Sequence, residues 1–206
     1  MAYGIHPLFA TPVIHIRYEG DNQQLIDYCY EEKKKEELAD TYSQRSGKGS
    51  WQSIYLNIPL MTPIRQEVSK VLDEIVTRDY THHKYWININ KKDTYNVYHT
   101  HPDADYSAIY YLRDSSCPLM LVHPSLHTGA FTTCTFLNRQ LIEDTGITPQ
   151  YAINPKAGDI LLFPSYLPHY VEENKEENDR ISIAVSYTHL RAHETKANLV
   201  CRLLLE

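Results

Sequence analysis

The chain has 206 residues, of which 42% are hydrophobic and 22% are charged. This length and composition suit one globular domain with a packed core and exclude a disordered chain. The formal net charge of −6 disfavours a nucleic-acid-binding protein, since phosphates are neutralised by Lys and Arg. No apolar run approaches the ~18 residues of a membrane span, and the first residues lack the charged and apolar regions of a signal peptide, so we do not expect export. The four cysteines form no CxxC pair, so we expect a cytoplasmic protein with reduced thiols.

Residues 1–83 are expected to form an N-terminal support of one strand and two helices. Apolar alternation within residues 8–18 predicts the strand. Residues 21–40 predict a helix whose charged run is its solvated face. A second helix is predicted at residues 62–76, because Thr62 suits the N-cap, a proline follows at the first helical position, and apolar residues recur on one stripe.

From residue 84 onward, short runs rich in β-branched and aromatic residues alternate with turn residues. So many short strands, with little helix between them, favour a jelly roll or a similar double-sheet barrel. We therefore predict a mainly β (α+β) fold whose core spans residues 84–185. The predicted strands lie at residues 84–90, 95–99, 106–112, 118–123, 130–136, 150–154, 159–163, 169–172 and 180–185.

Three segments of this β region carry side chains that suit a metal site. His101 and Asp103 are two residues apart, so in an extended chain both face the same side. His169 stands at the entry to a later strand, and Arg180 and Ser182 follow it. Two histidines and one carboxylate on one face of an octahedron leave three positions open, which is the arrangement of non-haem Fe(II) oxygenases.

Five motifs follow one another in this region: Trp86-x-Asn88, Asn96-x-x-His99-x-His101-Pro, Ser107-x-x-Tyr110-Tyr111, Gly158-x-x-Leu161-x-Phe163-Pro-Ser165-x-x-x-His169-x-Val171 and Arg180-Ile-Ser182-Ile-Ala184. In this order they resemble the 2-oxoglutarate–Fe(II) oxygenases of marine bacteria and their phages. The resemblance covers residues 84–185. It implies a double-stranded β-helix with Fe(II) held at one mouth and 2-oxoglutarate chelating the iron.

The same resemblance implies that His101, Asp103 and His169 are the iron ligands. His99 lies two residues before His101, and an alternative set therefore pairs His99 with His101 and leaves Asp103 as a turn residue. We expect the set that contains Asp103.

The resemblance also implies which residues bind 2-oxoglutarate. Arg180 would hold the distal carboxylate, because a guanidinium is a planar two-pronged donor that is always charged. Ser182 faces the same way and would add a hydroxyl donor. Asn96 is either a turn residue at a strand end or a donor to the cofactor, and Tyr110 and Tyr111 are equal candidates to reach the ketoacid.

The implied activity is that of a dioxygenase, a hydroxylase that couples decarboxylation of 2-oxoglutarate to C–H oxidation. Two alternatives remain open: a cupin-like metal-binding or carbohydrate-binding protein without redox turnover, and a metal-dependent isomerase on the same barrel. The sequence does not identify the substrate, which we expect to be a small molecule or a peptide. A membrane partner is not expected, and nucleic acid is disfavoured.

The last residues form a segment of a different kind. Residues 187–206 closely resemble translated sequencing-adapter read-through, a peptide found at the broken ends of predicted proteins from assembled environmental DNA. We therefore expect residues 186–206 to be an artefactual tail and exclude them from the functional interpretation.

Overall fold

The computed structural model describes residues 10–39, 46–77, 79–82, 85–125, 140 and 148–189. Two helices are present in these residues, α1 (Gln23–Ala39) and α2 (Thr62–Ile75). The strands, in chain order, are β1 (Ile14–Arg17), β2 (Gly47–Lys48), β3 (Trp51–Gln52), β4 (Tyr80–His82), β5 (Trp86–Asn90), β6 (Tyr95–His99), β7 (Tyr106–Tyr111), β8 (Leu119–Val122), β9 (Gln150–Ile153), β10 (Asp159–Pro164), β11 (His169–Val171) and β12 (Arg180–His189). The strand predicted at residues 130–136 lies outside the described residues.

The strands form two antiparallel sheets. The larger sheet has the order β1-β10-β7-β12-β5-β3, with β4 also paired to β12. The smaller sheet has the order β2-β6-β11-β8-β9. Buried apolar side chains from both sheets meet in the space between them, among them Trp86, Ile109, Leu119, Phe163 and Val171. This double-sheet, mainly β architecture confirms the predicted fold class.

The helices cover the outer face of the larger sheet. Cys29 of α1 and Leu72 of α2 are fully buried against apolar side chains of the sheet. Strand β12 shows how the two faces are built, because successive side chains of a strand point to opposite sides. Ile181 and Ile183 pack in the core beneath the helices, whereas Ser182 points into the space between the sheets.

The start of α2 differs from the prediction. Met61 is the N-cap, and Thr62 already has helical dihedral angles (φ −56°, ψ −47°). A 3₁₀ turn at Pro59–Met61 runs directly into the helix, and the Thr62 hydroxyl donates to the Pro59 carbonyl over 2.8 Å. The N-cap prediction was therefore wrong by one position, because the turn before the helix has no apolar periodicity that would reveal it.

Two connections between the sheets matter for the site. The first crossover, residues 99–105, leads from β6 in the smaller sheet to β7 in the larger one. The second crossover, residues 164–169, leads from β10 in the larger sheet to β11 in the smaller one. The two crossovers are hydrogen-bonded to each other, so they lie at the same end of the double sheet.

Strand β12 continues beyond the segment that the family motifs cover. It pairs with β5 and β7 and ends at His189, where residues Tyr187–His189 pair with β4. The remainder of the predicted tail, residues 190–206, lies outside the described residues. No helix within the described part of the chain is long and apolar enough to cross a membrane.

The packing of α2 predicts the effect of shortening its buried side chains. Leu72→Ala is expected to lower the free energy of unfolding by about 2–5 kcal/mol, because Leu72 is 0% exposed and its loss leaves a cavity. Ile75→Ala on the same helix is the control, since Ile75 is 44% exposed and its loss should stay within about 0.5 kcal/mol. Urea denaturation measures both, and equal losses would contradict the packing described for α2.

Candidate active site

Three histidines converge at the end of the double sheet where the crossovers lie. His99 of β6 and His169 of β11 are direct cross-strand partners, and His101 follows two residues after His99. The ring centroids are 4.3 Å apart for His99 and His169, 5.0 Å for His99 and His101, and 5.2 Å for His101 and His169. One potential ligand atom from each residue lies within 4.8 Å of the other two, so the three side chains can share one metal ion.

Backbone carbonyls fix the orientation of two of the rings. Nδ1–H of His99 donates to the Val97 carbonyl over 2.7 Å, and Nδ1–H of His169 donates to the Leu167 carbonyl over 2.9 Å. When Nδ1 carries the proton, the lone pair lies on Nε2, which is then available to a metal. Carbonyl partners of this kind are typical of metal-binding histidines.

The histidines are held in the neutral form. His169 is 2% exposed, and its burial, together with neighbouring His99, lowers the pKa of its imidazole to about 3. Burial and His99 also lower the pKa of His101 to about 4. Metals bind the deprotonated imidazole, so this environment prepares the cluster for a metal ion rather than for protons.

Asp103 does not belong to this cluster. The chain turns at Pro102 and Asp103, where the Ala104 N–H donates to the His101 carbonyl over 3.3 Å, and Asp103 is exposed. The expected alternation from His101 to Asp103 therefore does not hold, because the strand ends before Asp103. The structure instead brings together His99, His101 and His169, the alternative that pairs the two histidines of the first crossover.

Arg180 lies in the same cavity as the histidines. The cavity lies between the two sheets and is lined by side chains of both. Arg180 is 3% exposed, and its Nε and Nη2 atoms are buried without a hydrogen-bond partner. A buried unpaired charge is costly unless an opposite charge joins it. The guanidinium thus fits the carboxylate of a dicarboxylic acid that also reaches the histidines.

Tyr111 and not Tyr110 faces this guanidinium. The Arg180 Cζ atom lies 5.0 Å from the centre of the Tyr111 ring, and the Tyr111 hydroxyl is buried without a hydrogen-bond partner. Burial raises the pKa of Tyr111 to about 12, although the positive charge of Arg180 opposes this rise. Tyr110 points to the other side of the sheet, where its hydroxyl donates to Asn22.

The two other predicted cofactor residues line the cavity. Ser182 is buried there beside Arg180 on the same face of β12. The Asn96 amide is already engaged, because its oxygen accepts from Asn90 over 2.7 Å and its Nδ2 donates to Ser46 over 3.0 Å. The remaining Nδ2 hydrogen is the group that Asn96 has left for a cofactor.

Some residues around the histidines were not assigned a role in the sequence analysis. The Trp86 ring centre lies 5.5 Å from that of His101, and the Phe163 ring centre lies 5.1 Å from that of His169. Both belong to the quoted motifs, so their position in the motif order was the available signal. Ser46 also lines the cavity, and it follows a stretch without any periodicity that could have revealed it.

The double sheet and a histidine cluster that could hold a metal ion are typical of the metal-dependent proteins built on a double-stranded β-helix. The model of the family described as "Putative 2OG-Fe(II) oxygenase" matches residues 84–186, which is half of the chain. The chain therefore belongs to the 2-oxoglutarate–Fe(II) oxygenase family. Its predicted activity as an iron- and 2-oxoglutarate-dependent dioxygenase is confirmed.

Solved structures share the fold. HygX from Streptomyces hygroscopicus, with nickel, 2-oxoglutarate and hygromycin B bound, is 16% identical with a TM-score of 0.54 and covers 88% of this chain and 86% of its own. The prolyl-4-hydroxylase of Pseudomonas putida is 12% identical with a TM-score of 0.57, and the match covers 89% of this chain and 96% of that enzyme. The Trichoplax adhaerens prolyl hydroxylase, in complex with a peptide of hypoxia inducible factor, is 14% identical with a TM-score of 0.56. This match covers 86% of this chain and 83% of that enzyme. No curated protein sequence matches the chain.

The low pKa of His169 predicts how acid affects the metal-free protein. Above about pH 6.5 the imidazole is neutral in both the folded and the unfolded chain. Below that pH the unfolded chain binds a proton that the folded chain rejects, so the free energy of unfolding falls, by about 2 kcal/mol for this residue at pH 5. Urea denaturation at pH 7 and pH 5 should show a smaller fall in His169→Gln, and an equal fall would contradict the neutral buried imidazole.

Proposed function

We propose that this oxygenase hydroxylates a small-molecule or peptide substrate at an iron held by His99, His101 and His169. The observation that carries the proposal is that three neutral imidazoles and a buried guanidinium with two unpaired nitrogen atoms open into a single cavity. Three imidazoles on one side of an iron leave positions for a chelating ketoacid and for O₂, as in a two-histidine-one-carboxylate site.

The cavity suggests where 2-oxoglutarate lies. Arg180 would hold its distal carboxylate through two parallel N–H donors, and the hydroxyls of Ser182 and Tyr111 are next to this position. The ketoacid end would then reach the histidines. When bound, Fe(II) with 2-oxoglutarate and O₂ supplies decarboxylation coupled to C–H oxidation.

The protein's own residues orient the reactants and exclude water. Ile109, Leu119, Val171 and Ala184 line the cavity between Arg180 and the histidines with apolar surface. In such surroundings the attraction between the guanidinium and a carboxylate is stronger than in water, which fixes the ketoacid in one orientation. Trp86 covers His101 from the side.

Two related folds support the range of substrates in the proposal. The HygX structure holds hygromycin B, which is a small molecule, and the Trichoplax adhaerens enzyme holds a peptide.

The activity is tested by adding Fe(II) and 2-oxoglutarate without O₂, recording the charge-transfer absorption of a chelated ketoacid, and then admitting O₂ and measuring succinate. The proposal expects both signals. A cupin-like binding protein would bind metal and release no succinate, and an isomerase would turn over without O₂. Either of these outcomes would contradict it.

The ligand set is tested with a pair of variants in the first crossover. His99→Ala is expected to weaken Co(II) binding by more than about 10-fold, since even changes outside the ligand shell cost that much. Asp103→Asn should bind Co(II) like the wild type, because Asp103 is exposed and outside the cluster. Titration of Co(II) followed by absorbance measures both affinities. Weakened binding in Asp103→Asn with unchanged binding in His99→Ala would show that Asp103 is the ligand and His99 is not.

The role of Arg180 is tested by removing its charge. Arg180→Met and Arg180→Glu are expected to weaken binding of 2-oxoglutarate to the Co(II)-loaded protein by about 100-fold or more, because the distal carboxylate loses its partner. Binding of Co(II) itself should not change. Calorimetric titration measures both steps, and unchanged ketoacid affinity would count against the proposed orientation.

A further inference from the structure

Beyond the His99–His169 pair of β6 and β11, the two crossovers that carry the histidines are joined at Ser165. The His101 N–H donates to the Ser165 carbonyl over 3.0 Å, and the Ser165 N–H donates to the Asp105 carbonyl over 2.9 Å. These bonds join the backbone of the second crossover to both sides of the turn in the first. His101 is therefore linked to His169 through its hydrogen bond to Ser165 and the four residues of chain from 166 to 169.

A side-chain contact anchors the same residue. The hydroxyls of Ser165 and Ser107 lie 2.7 Å apart and are hydrogen-bonded. Ser165 is 0% exposed and Ser107 lines the active-site cavity. Ser107 also sits opposite Phe163 in the pairing of β7 with β10, so the hydroxyl pair holds the second crossover where it leaves the larger sheet.

We propose that the Ser107–Ser165 hydroxyl pair positions the ligand histidines, and that Ser165 is the positioning residue that sets where His101 lies relative to His169. The inference rests on the proposed function, because it concerns the same metal site. Ser165 acts through the His101 peptide, whose N–H it holds, and through the chain that leads to His169. Because His99 and His169 are already paired between β6 and β11, the position of His101 is the part of the ligand geometry that Ser165 fixes.

If Ser165 only stabilised the fold, its substitution would have a different effect from the one that a positioning role predicts. A buried serine that loses its hydrogen bond lowers the free energy of unfolding wherever it lies. A positioning serine also changes metal affinity and ligand geometry. Ser115 provides the matched control, because it is buried, its hydroxyl accepts from the Cys117 N–H over 3.1 Å, and it lies between β7 and β8, outside both crossovers.

The experiment titrates Co(II) into the full-length wild type and into Ser165→Ala, Ser107→Ala, the double variant and Ser115→Ala, recording the affinity and the visible absorption bands. Each single variant of the pair is expected to weaken Co(II) binding by about 10-fold and to shift the bands. The double variant should lose no more than a single one, because the pair acts as a unit. Ser115→Ala should bind as the wild type does.

Unchanged Co(II) affinity and bands in Ser165→Ala and Ser107→Ala, or losses that add up in the double variant, would overturn the inference. If Ser165→Ala does not fold, the test of the positioning role rests on Ser107→Ala. This variant removes the hydroxyl pair but keeps Ser165 and both of its backbone hydrogen bonds. A wild type that binds no Co(II) would contradict the metal site itself, and this outcome is distinct from a failure of the positioning role.

Discussion

The alternation of side chains along β12 is the constraint on which the rest of the structure depends. One face of this strand supplies Ile181 and Ile183 to the core under the helices, and the other supplies Arg180 and Ser182 to the cavity. A shift of one residue would exchange the faces and place apolar side chains in the cavity that holds the histidines. The stability of the helix-covered core therefore also fixes the direction in which the guanidinium points.

The cavity combines neutral imidazoles with a charged guanidinium. Desolvation lowers the pKa values of the imidazoles, which keeps them neutral and ready for a cation. Arg180 is 3% exposed, and a guanidinium is always charged in proteins. The protein thus keeps a positive charge at one end of the cavity and lone pairs at the other, which matches a chelating dicarboxylate between them.

The sequence allowed much of this site to be predicted, because its signals are local. Strand β6 was predicted with its observed bounds, and His169, Arg180 and Ser182 were predicted to face one site. The choice of Asp103 over His99 assumed an extended chain through Pro102, where the structure turns. The backbone hydrogen bonds that join Ser165 to the first crossover were also not predictable from periodicity, because they link groups about sixty residues apart.

The position of β12 has a consequence for how the protein forms. It is the last described strand along the chain, yet it lies in the middle of the larger sheet, between β7 and β5. During synthesis the earlier strands emerge from the ribosome while their central neighbour is still missing. We therefore expect the sheet to close only after β12 has been synthesised, with the slow kinetics typical of pairing between distant segments. Until then the nascent chain has the histidines without the arginine that shares their cavity.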